Sequence, residues 1–437
     1  MLKKIPGARY LALVLILTST CLLTPVLQAE NLRFNGFLTL AGYHGSSNQL
    51  GYRTSLSSEH FSKRSQWVFN DLSLVGGQVN YQFNANWQVV AQAVLKDELV
   101  RSELDRVKIA TLNYRPNSSA LLRVGRFYPS NYLVSESRFI GYAHNEVVPT
   151  QDFYAQLAFP YIDGIDFTLT QRLNTGLLSL NAYYGQTKVN FDVDNLGELS
   201  EKLKNLVGVN FNYEVNNWLL RLSYSQVEQF NEWVIFQQVE DFFNIFSYPQ
   251  SFPVDNNFTP WIEGLEVLEQ NQKKGDVFKY FSFAAEYNHE QLRVRTELAH
   301  LESGNYLLPD TNTAYINLAY HSGRVTPFIT LSMINSEQGV ELKTMPEDAF
   351  LDAVDQVYEL DSRAILQLVN SFINPAYKQK SVSLGMRWDF ADYQAFKFQF
   401  EKKWVDKNGA GLWDRDIAVD SVAEQVEVFL ISYDWMF

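Results

Sequence analysis

The chain has 437 residues, of which 46% are hydrophobic and 15% aromatic, and its formal net charge is −13. An acidic chain of this kind is not expected to bind nucleic acid as its main task. Its one cysteine, Cys21, lies in the N-terminal leader, which excludes a disulfide framework and thiolate catalysis after it. The six histidines show no metal-ligand spacing and no glycine-rich loop lies between a strand and a helix, so neither metal nor cofactor is expected.

Residues 1–29 predict a cleaved secretory signal peptide. Three basic residues precede the apolar run LALVLILTSTCLLTPVLQA, which ends at Ala29. Polar residues and Pro25 interrupt this run before it reaches the ~20 residues of a spanning helix, which disfavours an N-terminal anchor. A lipid-modified Cys21 is also disfavoured, because Thr20 fits a lipoprotein cleavage site poorly. We therefore expect residues 30–437 to be exported as the mature protein.

The mature region alternates between apolar and polar residues in segments of about ten residues, which predicts strands with two different faces. In WQVVAQAVLK (87–96), for example, Trp87, Val89 and Leu95 share one face. No segment after residue 30 has the ~18 consecutive apolar residues of a spanning helix. Sixteen strands are predicted, near 33–43, 67–83, 87–96, 106–115, 121–127, 163–172, 177–187, 205–214, 218–227, 276–287, 291–302, 311–321, 324–334, 379–390, 394–405 and 425–437.

The connectors alternate in length, as in bacterial outer-membrane barrels, where short turns lie at one rim and long loops at the other. Short turns such as 84–86 and 288–291 alternate with long connectors that include 128–162, 188–204, 228–275 and 335–378. Counting DFYAQLAF (152–159) as a strand gives seventeen and breaks this alternation, so we assign that segment to a loop. In the second predicted strand, the apolar residues change from one face to the other at Gly76-Gly77, which suggests a bulge there.

The last ten residues, VFLISYDWMF, place a bulky apolar or aromatic residue at every second position up to Phe437. A single strand cannot bury such a face by itself, and lipid is the solvent that fits it. The chain resembles the sixteen-stranded porins of Gram-negative outer membranes at this end. It also resembles them around LRVGRFYPSNYL (122–133) and FPYIDGIDFTL (159–169), where the constriction loop of those porins begins and ends.

This resemblance implies an all-β transmembrane antiparallel barrel that assembles as a homotrimer. It implies contact with outer-membrane lipid, with lipopolysaccharide and with the barrel assembly machinery, for which Tyr433, Trp435 and Phe437 would form the signal. It also implies that the third long loop, 128–162, folds inward and narrows the pore. The aromatic residues of this loop favour packing against the inner wall over a slide for sugars or aromatic solutes.

Charged residues of the loop and the wall are candidates for the pore constriction. Opposed charges at a narrow point order water and penalise apolar solutes, although lumen-facing residues are often simply polar. The candidates are Arg123, Glu136, Arg138, Glu146, Asp152, Arg293, Arg295 and Arg387, with Lys397, Glu297, Asp389 and Glu401 also expected on the wall. The direction of Arg126 depends on where its strand ends.

The sequence favours a porin that lets small hydrophilic solutes and ions diffuse passively through the outer membrane. A substrate-selective channel and a non-conducting receptor or structural barrel remain open alternatives. An outer-membrane hydrolase is less favoured, because His44, His60 and His144 lie in predicted outer loops without a catalytic motif. The long loops 228–275 and 335–378 include two apolar segments, 232–246 and 347–370, and the latter has near-helical spacing. Either segment could pack over the barrel mouth or form a lid.

Overall fold

The computed structural model describes residues 31–54, 66–97, 102–155, 159, 161–193, 197–229, 277–303, 309–336, 347–358, 361–363, 376–415 and 423–437. The predicted signal peptide (1–29), His60 and the apolar segment 232–246 lie outside the described residues. So does most of 359–375.

Sixteen antiparallel strands form one closed sheet, which confirms the predicted barrel. Each strand pairs with its neighbour in the chain, and β1 pairs with both β2 and β16, so the barrel has no open edge. The strands are β1 (Leu32–Gly45), β2 (Leu74–Gln82), β3 (Trp87–Lys96), β4 (Val107–Asn117), β5 (Ala120–Phe127), β6 (Ile162–Arg172), β7 (Leu177–Val193), β8 (Gly197–Val215), β9 (Trp218–Gln229), β10 (Val277–His289), β11 (Leu292–Glu302), β12 (Thr311–Tyr320), β13 (Val325–Ser336), β14 (Tyr377–Ala391), β15 (Gln394–Ala410) and β16 (Glu424–Met436).

The outer face of the barrel is apolar and the inner face is polar. On β14, Leu384 is 50% exposed, whereas the adjacent Ser383 is 2% exposed and donates to Glu401 inside the barrel. At the rim with the short turns, outward aromatic rings meet in pairs such as Trp87 with Tyr114, whose centroids are 4.5 Å apart. Such rings are typical of the boundary between hydrocarbon and lipid headgroups. The period-2 pattern therefore predicted the lipid-facing side correctly.

The bulge predicted at Gly76-Gly77 is wrong, because the β1–β2 register runs without a shift through both glycines. The two glycines interrupt the alternation because they have no side chains. At Gly76 a side chain would not fit, since an added Cβ would lie 2.2 Å from the Phe37 ring. The second predicted strand is instead interrupted at 69–73, between the short segment Trp67–Val68 and Leu74. Ser73 caps this break, since its hydroxyl donates to the Phe69 carbonyl over 2.6 Å.

The connector predicted at 188–204 is also mostly strand, because β7 and β8 continue their ladder to the pair Val193 and Gly197. The segment KVNFDV alternates like the strand before it, so the pattern gave no reason to end β7 at residue 187. A register shift between Leu203 and Leu206 includes Asn205, which has a positive φ of 51°. This irregularity lies where the prediction placed the end of the loop.

Helices are few and short in the described part of the chain. The described part of DFYAQLAF, residues 152–155 and 159, contains no strand, as predicted, and α1 (Gln151–Tyr154) is one helical turn inside the long loop. The near-helical spacing of 347–370 gives α2 (Asp348–Tyr358), where Arg363 approaches Asp352 to 2.8 Å. Among the described residues, no helix combines the length and apolar composition that a membrane crossing requires.

The C-terminal residue completes the closure of the barrel. Phe437 and Gly36 exchange two backbone hydrogen bonds of 2.9 and 2.6 Å. The Phe437 ring covers the α-carbon of Gly36, where an added Cβ would lie 2.2 Å from the ring. An aromatic ring over a strand glycine protects backbone that would otherwise be open. The join between the two ends of the chain therefore depends on this ring and on the small size of Gly36.

Candidate functional site

The connector between β5 and β6, residues 128–161, enters the barrel, and we refer to it as the inner loop. Near its start, the Asn131 carbonyl accepts a 3.2 Å hydrogen bond from Ser282 on β10. Across the ring of strands, Gly141 approaches Thr39 on β1 and Asp434 on β16 so closely that a Cβ there would lie 2.4 and 2.0 Å from their side-chain oxygens. The inner loop therefore crosses the barrel interior between its two attachments.

Glu297 of β11 is the first anchor of the inner loop. This carboxylate is fully buried, and one of its oxygens accepts a 3.1 Å bond from the Leu133 amide of the loop. The other oxygen accepts hydrogen bonds from Tyr315 of β12, at 2.7 Å, and from Tyr154 of the loop. A buried carboxylate with several donors is fully hydrogen-bonded and holds its partners in fixed positions.

Asp152 of the inner loop is the second anchor. It is fully buried, and its oxygens accept a 2.8 Å bond from Ser332 on β13 and a bond from Gln379 on β14. Lys403 of β15, also fully buried, lies 3.5 Å from Asp152 and 3.0 Å from Glu401. Asp152 was predicted to face the pore, but its charge is neutralised inside the loop–wall contact.

Two cations of β14 and β15 form the third anchor by binding loop carbonyls. Lys397 donates to Gly141 over 2.6 Å and lies 3.0 Å from Asp434. Arg387 donates to the carbonyls of Tyr142, at 2.6 Å, and His144, at 3.0 Å. Both cations had been expected on the wall. Because Lys397 and Arg387 bind backbone carbonyls of the inner loop, they hold the loop in position in addition to placing positive charge on the wall.

Arg123 and Glu136 are the predicted pair that meets where water can reach it. Arg123 of β5 lies 2.8 Å from the buried Asp166 of β6 and 3.3 Å from Glu136 of the inner loop. The Arg123 side chain is 19% exposed and the Glu136 side chain is 69% exposed. A loop carboxylate and a wall arginine thus face each other in the lumen, and water screens them only in part.

Two further wall arginines, Arg293 and Arg295, lie on the inward face of β11. Arg295 is paired with Glu286 of β10 at 2.6 Å, whereas the Nε and Nη2 atoms of Arg293 are buried without a hydrogen-bond partner among the described residues. Burial would raise the pKa of Glu146 in the inner loop, but Arg295 and Arg293 outweigh that effect and lower it. Glu146 therefore stays ionised and compensates part of the arginine charge.

Burial also lowers the pKa values of His144 and Arg138 in the inner loop. Burial and the nearby Lys397 lower the pKa of His144 to about 4, so its ring is neutral at pH 7. Its Nε2 atom lies 2.9 Å from the Ser137 carbonyl and must carry the proton, since a carbonyl only accepts. Burial lowers the pKa of Arg138, whose Nη1 donates to the Phe159 carbonyl over 2.6 Å.

Arg126 and Asp389 each form an ion pair. Arg126 lies at the long-loop end of β5, pairs with Asp163 at 2.7 Å and stacks on Tyr161 with 3.6 Å between guanidinium carbon and ring centre. Asp389 pairs with Arg387 at 2.7 Å. Among the described residues, no group of three or more His, Cys, Asp or Glu side chains could hold a metal ion.

Gln399 and Lys403 also anchor the inner loop, although the sequence pattern does not identify them as anchors. Gln399 accepts a 2.8 Å bond from the Val147 amide of the inner loop. A signal was present in FKFQFEKK (396–403), which places four polar residues in a row on the inner face of β15. Four inward polar residues of mixed charge indicate that this face of β15 contacts something polar. The alternation alone does not show whether that is water or a loop of the protein.

Comparison with known proteins gives only structural neighbours. No protein-family model matches the chain, and no curated protein sequence does. It is similar in structure to OmpT of Vibrio cholerae (TM-score 0.48, 10% identity), over 94% of this chain and 100% of that one. It is similar to OmpF of Salmonella typhi in complex with daunomycin (0.49, 11%), over 93% and 98%, and to the outer-membrane channel DcaP of Acinetobacter baumannii (0.48, 8%), over 93% and 99%.

The fold itself rests on this chain's own features. Its sheet is closed through the β1–β16 pairing, its outer face is apolar, and its third long connector lies inside the barrel. Only a closed barrel satisfies every backbone group of a membrane-spanning sheet. The chain therefore forms a closed antiparallel β-barrel of sixteen strands, with an apolar outer face that fits a lipid bilayer and a connector that lies inside it.

Proposed function

We propose that the protein is a porin: a water-filled channel through which small hydrophilic solutes and ions diffuse passively across the outer membrane. The observation that carries this proposal is the Arg123–Glu136 pair, a 3.3 Å contact between the wall and the inner loop that water reaches inside the barrel. A barrel with a fully packed interior would not leave a loop carboxylate 69% exposed beside an inward-facing arginine.

The anchors explain how the inner loop could define a constriction. Three contact regions, at Glu297, at Lys403 with Asp152, and at Lys397, attach the loop to different parts of the wall. Buried and neutralised charges fix the position of the loop and add little field in the lumen. Selectivity then depends on the charges that stay exposed, of which Glu136 is the loop carboxylate in contact with a wall arginine.

A channel selective for one solute class is the second candidate, and the unpartnered Nε and Nη2 atoms of Arg293 are the observation that favours it. A carboxylate or phosphate on a solute could accept hydrogen bonds from them. A hydrolase at the outer rim is not favoured: His144 is buried and bonded to a carbonyl, and His44 packs at 5.8 Å from the Trp67 ring. A measurement of conductance separates both channel candidates from a receptor or structural barrel, which would not conduct.

The homotrimer and the recognition of Phe437 by the barrel assembly machinery remain predictions from the resemblance. Cross-linking in native membranes tests the first, because a trimer gives a ladder that ends at three chains. Assembly yield of C-terminal variants tests the second.

The experiment that tests the proposed function is single-channel recording in a planar bilayer. We expect long-lived ohmic steps from the purified folded barrel, and an ion preference measurable as a reversal potential in a salt gradient. Micromolar blockage of the current by one class of anion would favour the selective channel. A folded barrel that gives no steps would overturn both channel proposals.

A further inference from the structure

The inner wall of the barrel has one half rich in charges and another rich in amides. On β10–β16 the inward side chains include Glu286, Arg295, Glu297, Arg387, Lys397, Glu401, Lys403 and Asp434. On β2–β4 and β7–β8 they include eight amides, which we call the amide band: Gln78, Asn80, Gln88, Gln92, Asn113, Asn181, Asn210 and Asn212. A solute in the lumen contacts whichever half is left uncovered.

The inner loop and two outer connectors cover the charged half. The anchors of the inner loop lie on β10–β16. The first and last outer connectors pair with each other in a short two-stranded ladder, beside which the buried rings of Tyr52 and Trp413 lie 6.0 Å apart. Gln151 of the inner loop donates to one carbonyl of each connector, Arg53 at 2.6 Å and Leu412 at 2.9 Å. The amide band is therefore the half that solutes can contact.

The amide band runs on both sides of the Arg123–Asp166 pair. On one side, Asn113 of β4 is in register with Arg123 and donates to Gln88 of β3 over 3.4 Å. On the other side, Asn181 of β7 donates to Asp166 over 2.6 Å. Arg123 and Asp166 are 2.8 Å apart and neutralise each other, so the band has little net charge around this pair.

Two amide oxygens of the band are buried and accept no hydrogen bond from the described residues. They are the Oδ1 atoms of Asn113, which is 6% exposed, and of Asn210, which is fully buried. A buried acceptor without a donor costs free energy. The adjacent Gln88 and Asn212 are partly exposed, so the lumen reaches the band at both positions. A solute that satisfies these oxygens must carry a hydrogen-bond donor, which a carboxylate or an inorganic anion lacks.

We propose that the amide band binds neutral polyhydroxylated solutes, such as small sugars, through hydrogen bonds to their hydroxyl groups. The inference rests on the proposed channel and names a solute class for it. A hydroxyl group both donates and accepts, as an amide does, so neighbouring hydroxyls of a sugar can pair with neighbouring amides of the band. A site built to hydrogen-bond hydroxyls discriminates against solutes that lack them. An ion gains no comparable attraction from a band of little net charge.

Single-channel recording with sucrose tests the inference on the wild type. Sucrose should add noise to the ionic current, and this noise should saturate as the sucrose concentration rises, because a bound sugar interrupts the flow of ions. Polyethylene glycol of the same hydrodynamic size is the matched control, since its ether oxygens accept hydrogen bonds but do not donate them. Equal effects of the two solutes would overturn the inference, because size alone would then explain them.

Asn113→Leu with Asn210→Leu removes both oxygens and keeps side chains of similar size. We expect about tenfold weaker sucrose binding, which corresponds to the loss of two net hydrogen bonds, and an unchanged conductance in potassium chloride. Asn317→Leu is the control: Asn317 of β12 is 1% exposed and its Oδ1 also lacks a partner among the described residues, but it lies in the covered half. Unchanged sucrose binding by the double variant would overturn the inference, and so would an equal loss in Asn317→Leu.

Saturation-transfer NMR of sucrose with the folded barrel, in a detergent without sugar groups, measures the same contact without a current. Heat-modifiable migration in gels verifies that each variant is folded. A barrel that conducts but transfers no saturation to sucrose overturns this inference alone. A barrel that does not conduct overturns the proposed channel, and a transfer that the double variant loses would still locate the sugar on the amide band. Neither conduction nor transfer would overturn both.

Discussion

Lys403 Nζ lies 3.5 Å from the Asp152 carboxylate, and both side chains are fully buried between the inner loop and the barrel wall. Asp152→Asn should therefore destabilise the barrel by about 1.5–3 kcal/mol, the range for losing a charge-assisted buried hydrogen bond. Lys403 keeps Glu401 at 3.0 Å, so it is not left without a counter-charge. Urea unfolding in detergent or vesicles would measure the change. A variant as stable as the wild type would show that this contact does not hold the inner loop.

Glu136→Gln should lower the preference for cations with little effect on stability, because this carboxylate is exposed and an exposed ion pair such as its 3.3 Å contact with Arg123 contributes little. The reversal potential in a salt gradient would move toward the anion side. The control is to neutralise Asp348 and Asp352 of α2, which form ion pairs with Arg363. This change should shift the reversal potential less. If the control shifts the reversal potential more than Glu136→Gln does, the later loop determines selectivity.

Acid should weaken the attachment of the inner loop through His144. The pKa of this ring is lowered to about 4 by burial and by Lys397, so the folded state binds fewer protons than the unfolded state below about pH 6.5. Its contribution to stability is complete above that pH and falls by about 3 kcal/mol as the pH drops toward 4. Glu146, whose pKa is lowered by Arg295 and Arg293 against the effect of burial, adds a loss of the same sign at lower pH.

The measurement for His144 is the free energy of unfolding as a function of pH in the wild type and in His144→Gln, whose amide can still donate to the Ser137 carbonyl. The wild type should lose stability more steeply between pH 6.5 and 4. Parallel curves would mean that His144 does not titrate in this range.

Gly36→Ala should impair barrel closure, because the added methyl group meets the Phe437 ring at 2.2 Å. Overpacking of this kind costs about 1–3 kcal/mol. Gly45→Ala, on the same strand, is the matched control, since nothing lies within 4 Å of the added Cβ. The yield of folded barrel in the outer membrane should decrease for Gly36→Ala and for Phe437→Ser but stay normal for Gly45→Ala. Normal yields for all three would show that the ring is dispensable.

Leu384→Arg should destabilise the barrel by about 2–4 kcal/mol, because Leu384 is at the centre of β14 and faces the hydrocarbon. Ser179→Arg, on the inward and partly exposed side of β7, should cost much less. Folding titrations into lipid vesicles would compare the two. A larger loss in Ser179→Arg would mean that the two faces are assigned the wrong way round. Ser383, the inward neighbour of Leu384, would be a poor control because it is 2% exposed and donates a hydrogen bond to Glu401.

Strand number and strand faces could be predicted because each depends on a local pattern of period two. Leu384 faces lipid and the adjacent Ser383 faces the barrel interior because successive side chains of a strand point to opposite faces. The role of each inner-loop charge could not be predicted, because it depends on contacts between distant parts of the chain. Glu136 and Asp152 are two carboxylates of one loop, yet one faces water and the other is buried against Lys403. Alternation places Lys403 inside the barrel, but it does not reveal that the inner loop covers it.

A single thiol at position 136 tests the central claim, that the inner loop borders a conducting lumen, most directly. Cys21 lies in the predicted leader, so Glu136→Cys would be the one reactive thiol of the mature chain. We expect its single-channel conductance to fall stepwise when a charged methanethiosulfonate reagent is added. Glu103→Cys, 88% exposed on the outer connector between β3 and β4, should react without a change in current. A reagent that modifies position 136 and leaves the conductance unchanged, or a folded barrel that never conducts, would contradict the account.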